Sequence, residues 1–237
     1  MVTDRTVWIA DVASGRTSIV AKNASLPVWA PDSKSLVFAL WNDRPESRFA
    51  LLPLGGEAKV LVSSETLSAV RPDLSALFSK NALQANWAGW SPKGDTLALT
   101  FKAAGADPRY VALTISPQGQ LLNSWILPVF PDIQPNMTPP LPCAVGPMVW
   151  TPNQERLVAP LGNPGCKGSV AILDAKTLQK TGELSSLPLS NALVSSDGAW
   201  VALQNPDGNH LMVTNLTDST QAVRLPVTGE LLLWTNR

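Results

Sequence analysis

The sequence predicts an all-β protein assembled from four-stranded units. Three observations carry that prediction. A strand–turn–strand stretch, Leu26 to Leu40, recurs along the chain. Its copies are spaced at intervals that fit four short strands each. The 21 prolines and 15 glycines are spread over the 237 residues and not gathered in one block, which suits many short strands joined by turns.

Residues 5–12 alternate Val7 and Ile9 against Trp8 and Asp11, residues 13–16 read as a turn, and residues 17–21 read as a second strand. This pair has the character of the outer half of a sheet whose inner half is not at this end of the chain. The first full unit then begins. Trp29 ends one strand. Pro31 presets φ for a turn in which Asp32 and Ser33 can bond back to the backbone, and Leu36, Phe38 and Leu40 mark one face of a second strand. Residues 48–54 and 58–62, joined at Gly55-Gly56, supply the third and fourth. Residues 66–86 break the pattern; Leu74, Leu77 and Phe78 at i, i+3, i+4 predict a short helix there.

The second unit is predicted at 87–91, 96–101, 109–115 and 120–127, the third at 147–151, 156–161, 168–174 and 179–185, and the fourth at 191–195, 199–204, 209–215 and 220–226. A proline-rich stretch, 128–147, separates the second from the third and is expected to be irregular, because proline cannot donate to a ladder. Residues 230–234 read as one further inner strand.

The copies of the opening stretch fix the period. Trp29, Trp90 and Trp150 lie 61 and 60 residues apart; Trp150 to Val194 is 44 and Val194 to Trp234 is 40. The bare unit is the shorter spacing, and the two longer ones carry the two long connections. Four strands in about 40–45 residues is the period of a β-propeller blade. The expected fold is therefore an all-β propeller of four-stranded blades, five in number, the last built irregularly from both termini. As one domain over 1–237 its blades would cover 23–63, 87–127, 147–185 and 191–226, with a split blade from 5–22 and 230–237.

Trp29-Ala30-Pro31-Asp32, Trp90-Ser91-Pro92-Lys93-Gly94 and Trp150-Thr151-Pro152-Asn153 resemble the Trp-Ser-Pro-Asp-Gly signature of TolB-type, WD-like propeller blades. The fourth copy, Val194-Ser195-Ser196-Asp197-Gly198, keeps the turn without Trp or Pro. In that family the signature marks the turn between the two inner strands of a blade, so the resemblance implies architecture and leaves function open. The tryptophans Trp29, Trp90, Trp150 and Trp234 are expected to pack between blades, and Asp32 and Asp197 to serve the turn.

Strand counting leaves the split blade without a second strand. Either the chain is part of a longer propeller, or it closes as a five-bladed ring with a three-stranded blade. Such a gap would expose an edge at which chains could self-associate.

The long connections 64–86 and 128–147 both join a fourth strand to the next first strand. They are expected on one face with the loops 41–47, 102–108, 162–168 and 205–208, and long loops on a rigid scaffold often carry binding. Candidate binding residues on that face are Trp41, Asp43, Phe78, Trp87, Asp107, Phe130, Asp132 and Asp207. Trp41 and Trp87 would also serve a carbohydrate. Cys143 and Cys166 would meet on the same face, as a disulfide or as two free thiols. The disulfide, with a truncated N-terminus, would indicate a periplasmic or extracellular protein; otherwise a cytoplasmic one is expected.

Net charge is zero and basic runs are missing, which argues against a nucleic-acid partner, and no apolar run is long enough for membrane insertion. His210 is the only histidine. No metal, cofactor or catalytic residue is assigned, and no phosphate loop, dinucleotide fingerprint or nucleophile elbow is present. The function expected is a noncatalytic scaffold binding a protein or peptide. The alternative is a propeller associated with an enzyme, either gating a peptidase or acting as a metal-dependent sugar or lactone hydrolase.

Overall fold

The computed structural model describes residues 5–41, 47–72, 83–103, 110–126, 146–161, 169–184, 191–204, 211–218 and 220–225. They form a two-stranded sheet of β1 (Thr6–Ala10) and β2 (Thr17–Lys22), and four antiparallel sheets of four strands each. The first runs β3 (Ala24–Trp29), β4 (Ser35–Trp41), β5 (Ser47–Pro53), β6 (Lys59–Val62). The second runs β7 (Leu83–Trp90), β8 (Leu97–Ala103), β9 (Tyr110–Ile115), β10 (Leu121–Ile126). The third runs β11 (Val149–Trp150), β12 (Arg156–Leu161), β13 (Ser169–Asp174), β14 (Lys180–Leu184), and the fourth β15 (Asn191–Val194), β16 (Trp200–Gln204), β17 (Leu211–Asn215), β18 (Ala222–Leu225). Each is a meander in chain order, the plan of a propeller blade. By contact the chain divides into two compact units, residues 1–108 with 115–121, and residues 109–114 with 122–237.

The turn that opens each sheet is made the same way four times. The amides of Ala30, Ser91, Thr151 and Ser195 bond the carbonyls of Ser35, Thr96, Arg156 and Trp200, while the amides of Ser33, Gly94, Gln154 and Gly198 bond back to Ala30, Ser91, Thr151 and Ser195. The position fourth in this turn is left-handed in every copy: φ is 56° at Ser33, 76° at Gly94, 63° at Gln154 and 72° at Gly198. Only glycine takes that conformation freely. Gly94 and Gly198 have a second reason to lack a side chain, since a Cβ would sit 3.4 Å from Pro31 Cδ and 3.3 Å from Pro152 Cδ respectively. The proline of one copy thus packs on the glycine of the next. Gln154 carries the strain without that need, so Gln154→Gly is expected to stabilise the protein by about 0.5–1 kcal/mol. A denaturant midpoint unchanged or lowered by that substitution would contradict the assignment.

The run Leu36-Val37-Phe38-Ala39 is buried throughout because both faces of the first sheet are covered. On one face Leu36, Phe38 and Ala50 pack with Val7 and Ala24, against Ile9, Val20, Leu40 and Leu52. On the other, Phe49 meets Phe101 edge to face, with ring centroids 5.1 Å apart and planes at 76°. The second unit has its own core, in which Val158, Val170, Ile172 and Leu184 pack with Ala192, Val201, Leu203 and Leu216.

Two expectations are corrected, and one helix is added. Trp29 is 46% exposed, whereas Trp90, its counterpart in the second sheet, is 9% exposed. Trp29 pairs with Leu36, so its side chain lies on the face that looks toward β1–β2, and among the described residues that neighbour has only its two outer strands. A helix not expected from the sequence, α1, spans Ser64–Val70; the helix expected at Leu74, Leu77 and Phe78 lies outside the described residues. The signal for α1 is a capping box, with Ser63 accepting from the Thr66 amide at 3.2 Å and Thr66 Oγ1 accepting from the Ser63 amide at 2.9 Å. Finally, β7 begins at Leu83, four residues before the expected strand, and a bulge between Ala85 and Trp87 breaks the alternation that would have revealed it. The ring closure expected from 230–237 lies outside the described residues. Among those described, no helix is long and apolar enough to cross a membrane.

Candidate functional site

Of the candidate binding residues, Trp41 and Trp87 are described. Asp43, Phe78, Asp107, Phe130, Asp132 and Asp207 lie outside the described residues, as do Cys143, Cys166 and His210.

Trp41 ends β4, and its indole is engaged from two sides. Nε1 donates to Ser25 Oγ at 2.7 Å, and the Arg5 guanidinium carbon stands 5.6 Å from the ring centroid, a cation–π arrangement. Its own amide donates to the Asn23 carbonyl at 2.7 Å, tying the end of β4 to the start of β3. Trp87, half-buried in β7, lays its six-membered ring against Gly89, at the spot a Cβ would occupy. A side chain at Gly89 would push the indole off β7. Both aromatics are therefore held in set orientations by local partners, which lowers the conformational cost of using their exposed parts for contact.

The polar residues of the recurring turn are also accounted for. Ser91 Oγ, fully buried, donates to Asp95 Oδ1 at 2.8 Å and accepts from the Thr96 amide at 3.1 Å. Thr151 Oγ1 accepts from the Arg156 amide at 3.1 Å and meets Asn153 Oδ1 at 2.7 Å, and Ser195 Oγ accepts from the Trp200 amide at 2.9 Å while donating to Asp197. The first copy has Ala30 at this position and no such hydroxyl. Asp32, Asn153 and Asp197 each accept from the amide two residues on, at 2.9, 3.2 and 3.0 Å.

These bonds hold carboxylates ionised. The Ser195 hydroxyl, then the Ala199 amide, hold Asp197 below the ordinary aspartate value. The Thr177 amide and hydroxyl do the same at Asp174, the Ser14 hydroxyl and amide at Asp11, and the Thr220 hydroxyl and amide at Asp218. A depressed folded value stabilises the fold fully above the unfolded value, about 3.9, and the contribution is lost as pH falls through the folded value. Asp197→Asn should keep the turn, as Asn153 does in the third copy, but shed this dependence. Melting temperature followed from pH 7 down to pH 3 is expected to fall less steeply in the variant; parallel curves would refute the assignment. Such acceptors have the wrong character for general acid–base work. Among the described residues no three His, Cys, Asp or Glu side chains converge as a metal site would require.

These sheets define a β-propeller. No protein-family model matches the sequence, and no curated protein does. Solved structures do. The chain is similar to the periplasmic gluconolactonase PpgL of Pseudomonas aeruginosa, with 15% identity, a TM-score of 0.61, and 98% of this chain against 65% of that one. It is similar to the β-propeller domain of the Trilobed protease from Pyrococcus furiosus, at 12% identity and TM-score 0.60 over 91% of this chain and 62% of that one. A third likeness is to TolB from Acinetobacter baumannii, at 16% identity and TM-score 0.53 over 96% of this chain and 49% of that one. The fold is thus a β-propeller, the architecture that the turn motif implied. The chain spans less than two thirds of the length of each of these structures, and the likeness at this identity concerns the fold alone.

Proposed function

We propose that the protein is a noncatalytic propeller scaffold that binds a protein or peptide through the sheet ends carrying the connections 64–86 and 128–147. The observation supporting this is positional. The chain passes directly from β2 to β3, and from β14 at Leu184 to β15 at Asn191, yet from β6 at Val62 to β7 at Leu83 and from β10 at Ile126 to β11 at Val149 it makes long excursions. Both excursions leave a fourth strand and enter a first strand. The recurring turn is spent on architecture, so the variable connections are what remain for recognition. Phe130 and Asp132 in the second excursion, with Trp41 and Trp87 at described strand positions, are the residues proposed for contact.

A second reading, an enzyme-associated or hydrolytic propeller, is favoured by the peptidase and gluconolactonase among the similar structures. Crosslinking mass spectrometry in extract of the source cells separates the two. With wild-type protein and the Phe130→Ser/Asp132→Asn variant at matched melting temperature, a specific crosslinked polypeptide should be lost only in the variant. Equal capture by both, or turnover of a chromogenic peptide or lactone by purified wild-type protein, would overturn the scaffold reading.

A further inference from the structure

Ser47 opens β5, is buried, and spends its hydroxyl on another sheet. Its Oγ donates to the Leu83 carbonyl at 3.4 Å and accepts from the Ala85 amide, both in β7 of the second sheet. One side chain thus takes the carbonyl and the amide of alternate residues, as a neighbouring strand would. Burial makes both bonds matter, because a buried hydroxyl or amide left without a partner is costly.

The first sheet shows that such a tie is a built feature. Ala24 holds in β3 the place that Ala85 holds in β7, at the same step before the motif tryptophan, and both alanines are buried. The Ala24 amide bonds the Arg5 carbonyl at 3.0 Å, and Arg5 stands just ahead of β1 as Ser47 stands at the start of β5. Each tie joins the start of a third strand to the first strand of the next sheet. The backbone supplies the acceptor once and a side chain the second time, so the second tie alone can be removed by substitution.

Both described aromatic candidates hang on Ser47. Trp41 is its register partner across β4 and β5. Trp87 follows Ala85 across the bulge, whose extra residue is Asn86. Asn86 Nδ2 donates to Thr100 Oγ1 at 3.1 Å, and Thr100 is the register partner of Trp87. The bulge is therefore pinned twice, by Ser47 ahead of it and by Thr100 across from it. A bulge re-aims the side chains beside it, and a one-residue slip turns a strand's side chains to the opposite face.

We propose that Ser47 is a positioning residue for the contact surface. Its hydroxyl locks the end of the first sheet that carries Trp41 to the strand that carries Trp87, and so fixes the bulge that aims Trp87. This rests on the scaffold reading above; it adds that the two indoles meet a partner as one preorganised surface, at reduced entropic cost.

The test uses the purified full chain labelled with 5-fluorotryptophan, with the Trp87 and Trp90 signals assigned through Trp87→Phe and Trp90→Phe. In Ser47→Ala the Ala85 amide should exchange faster by at least about tenfold, beyond any change at the Leu99 amide of β8. The Trp87 fluorine resonance should shift or broaden while that of Trp90 stays in place, a change that plain destabilisation of the fold would not produce. Ser47→Cys, nearly isosteric and a weak acceptor, should give the same two readings and serves where Ser47→Ala does not fold. Ala85 exchange that merely follows Leu99, or an unmoved Trp87 resonance beside a deprotected Ala85, would overturn the proposal. Failure of the scaffold reading shows itself separately, as equal capture by wild-type protein and the Phe130→Ser/Asp132→Asn variant, and leaves both readings as they are.

Discussion

Trp90→Ala should cost about 3–5 kcal/mol of folding stability, and Trp29→Ala only about 1–2 kcal/mol, although the two residues hold the same place in successive copies of one motif. The difference follows from burial. Trp90 is enclosed at the end of β7, pairs with the fully buried Leu97, and leaves a large cavity when truncated. Its indole Nε1 has no hydrogen-bond partner, so the loss is one of packing. Trp29 already has nearly half its surface in water. Urea denaturation of both variants, with unchanged slope, checks the ratio. Equal losses would mean that Trp29 is covered and that the neighbouring blade is complete.

Phe101→Ala is expected to be at least as damaging, at about 3–5 kcal/mol. Phe101 is fully buried in β8 and stands edge-on to Phe49 of β5, so its removal opens the seam between the first and second sheets. An aromatic pair of this geometry contributes about 0.5–1.5 kcal/mol beyond area burial. Phe101→Leu should recover most of the loss, because it refills volume without restoring the edge-to-face contact. A double variant with Phe49→Leu reads the pair term directly. If Phe101→Ala costs under about 1 kcal/mol, the seam is not a packed core.

The propeller was legible from sequence because its determinants are local. Pro31, Asp32, Pro92, Gly94, Pro152, Asn153, Asp197 and Gly198 specify a turn within six residues, and the strands on either side announce themselves by apolar pattern. Local rules could not foresee the exposure of Trp29, which depends on how much of it the neighbouring sheet covers. Nor did they find β7 at Leu83, since the bulge at Ala85–Trp87 erases the period on which strand reading rests. The helix at Ser64–Val70 did leave a sign, but in the weaker form of a capping box with Thr66 in place of Glu or Gln. For the candidate site, sequence singled out Trp41 and Trp87 by type and place. It could not show that Ser25, Arg5 and Gly89 hold them, because those contacts cross strands or depend on a rotamer.

One comparison bears most directly on the claim that the recurring motif is architecture. The second, third and fourth copies close their turns with the hydroxyl of Ser91, Thr151 or Ser195, and the first has Ala30 in that place. Equilibrium denaturation of Ser91→Ala and Ala30→Ser should therefore move in opposite directions. A loss of about 1–3 kcal/mol is predicted for the first, which strands the Thr96 amide and removes the donor to the exposed Asp95, and a gain of up to about 1 kcal/mol for the second. No loss in Ser91→Ala, or a loss of comparable size in Ala30→Ser, would contradict it.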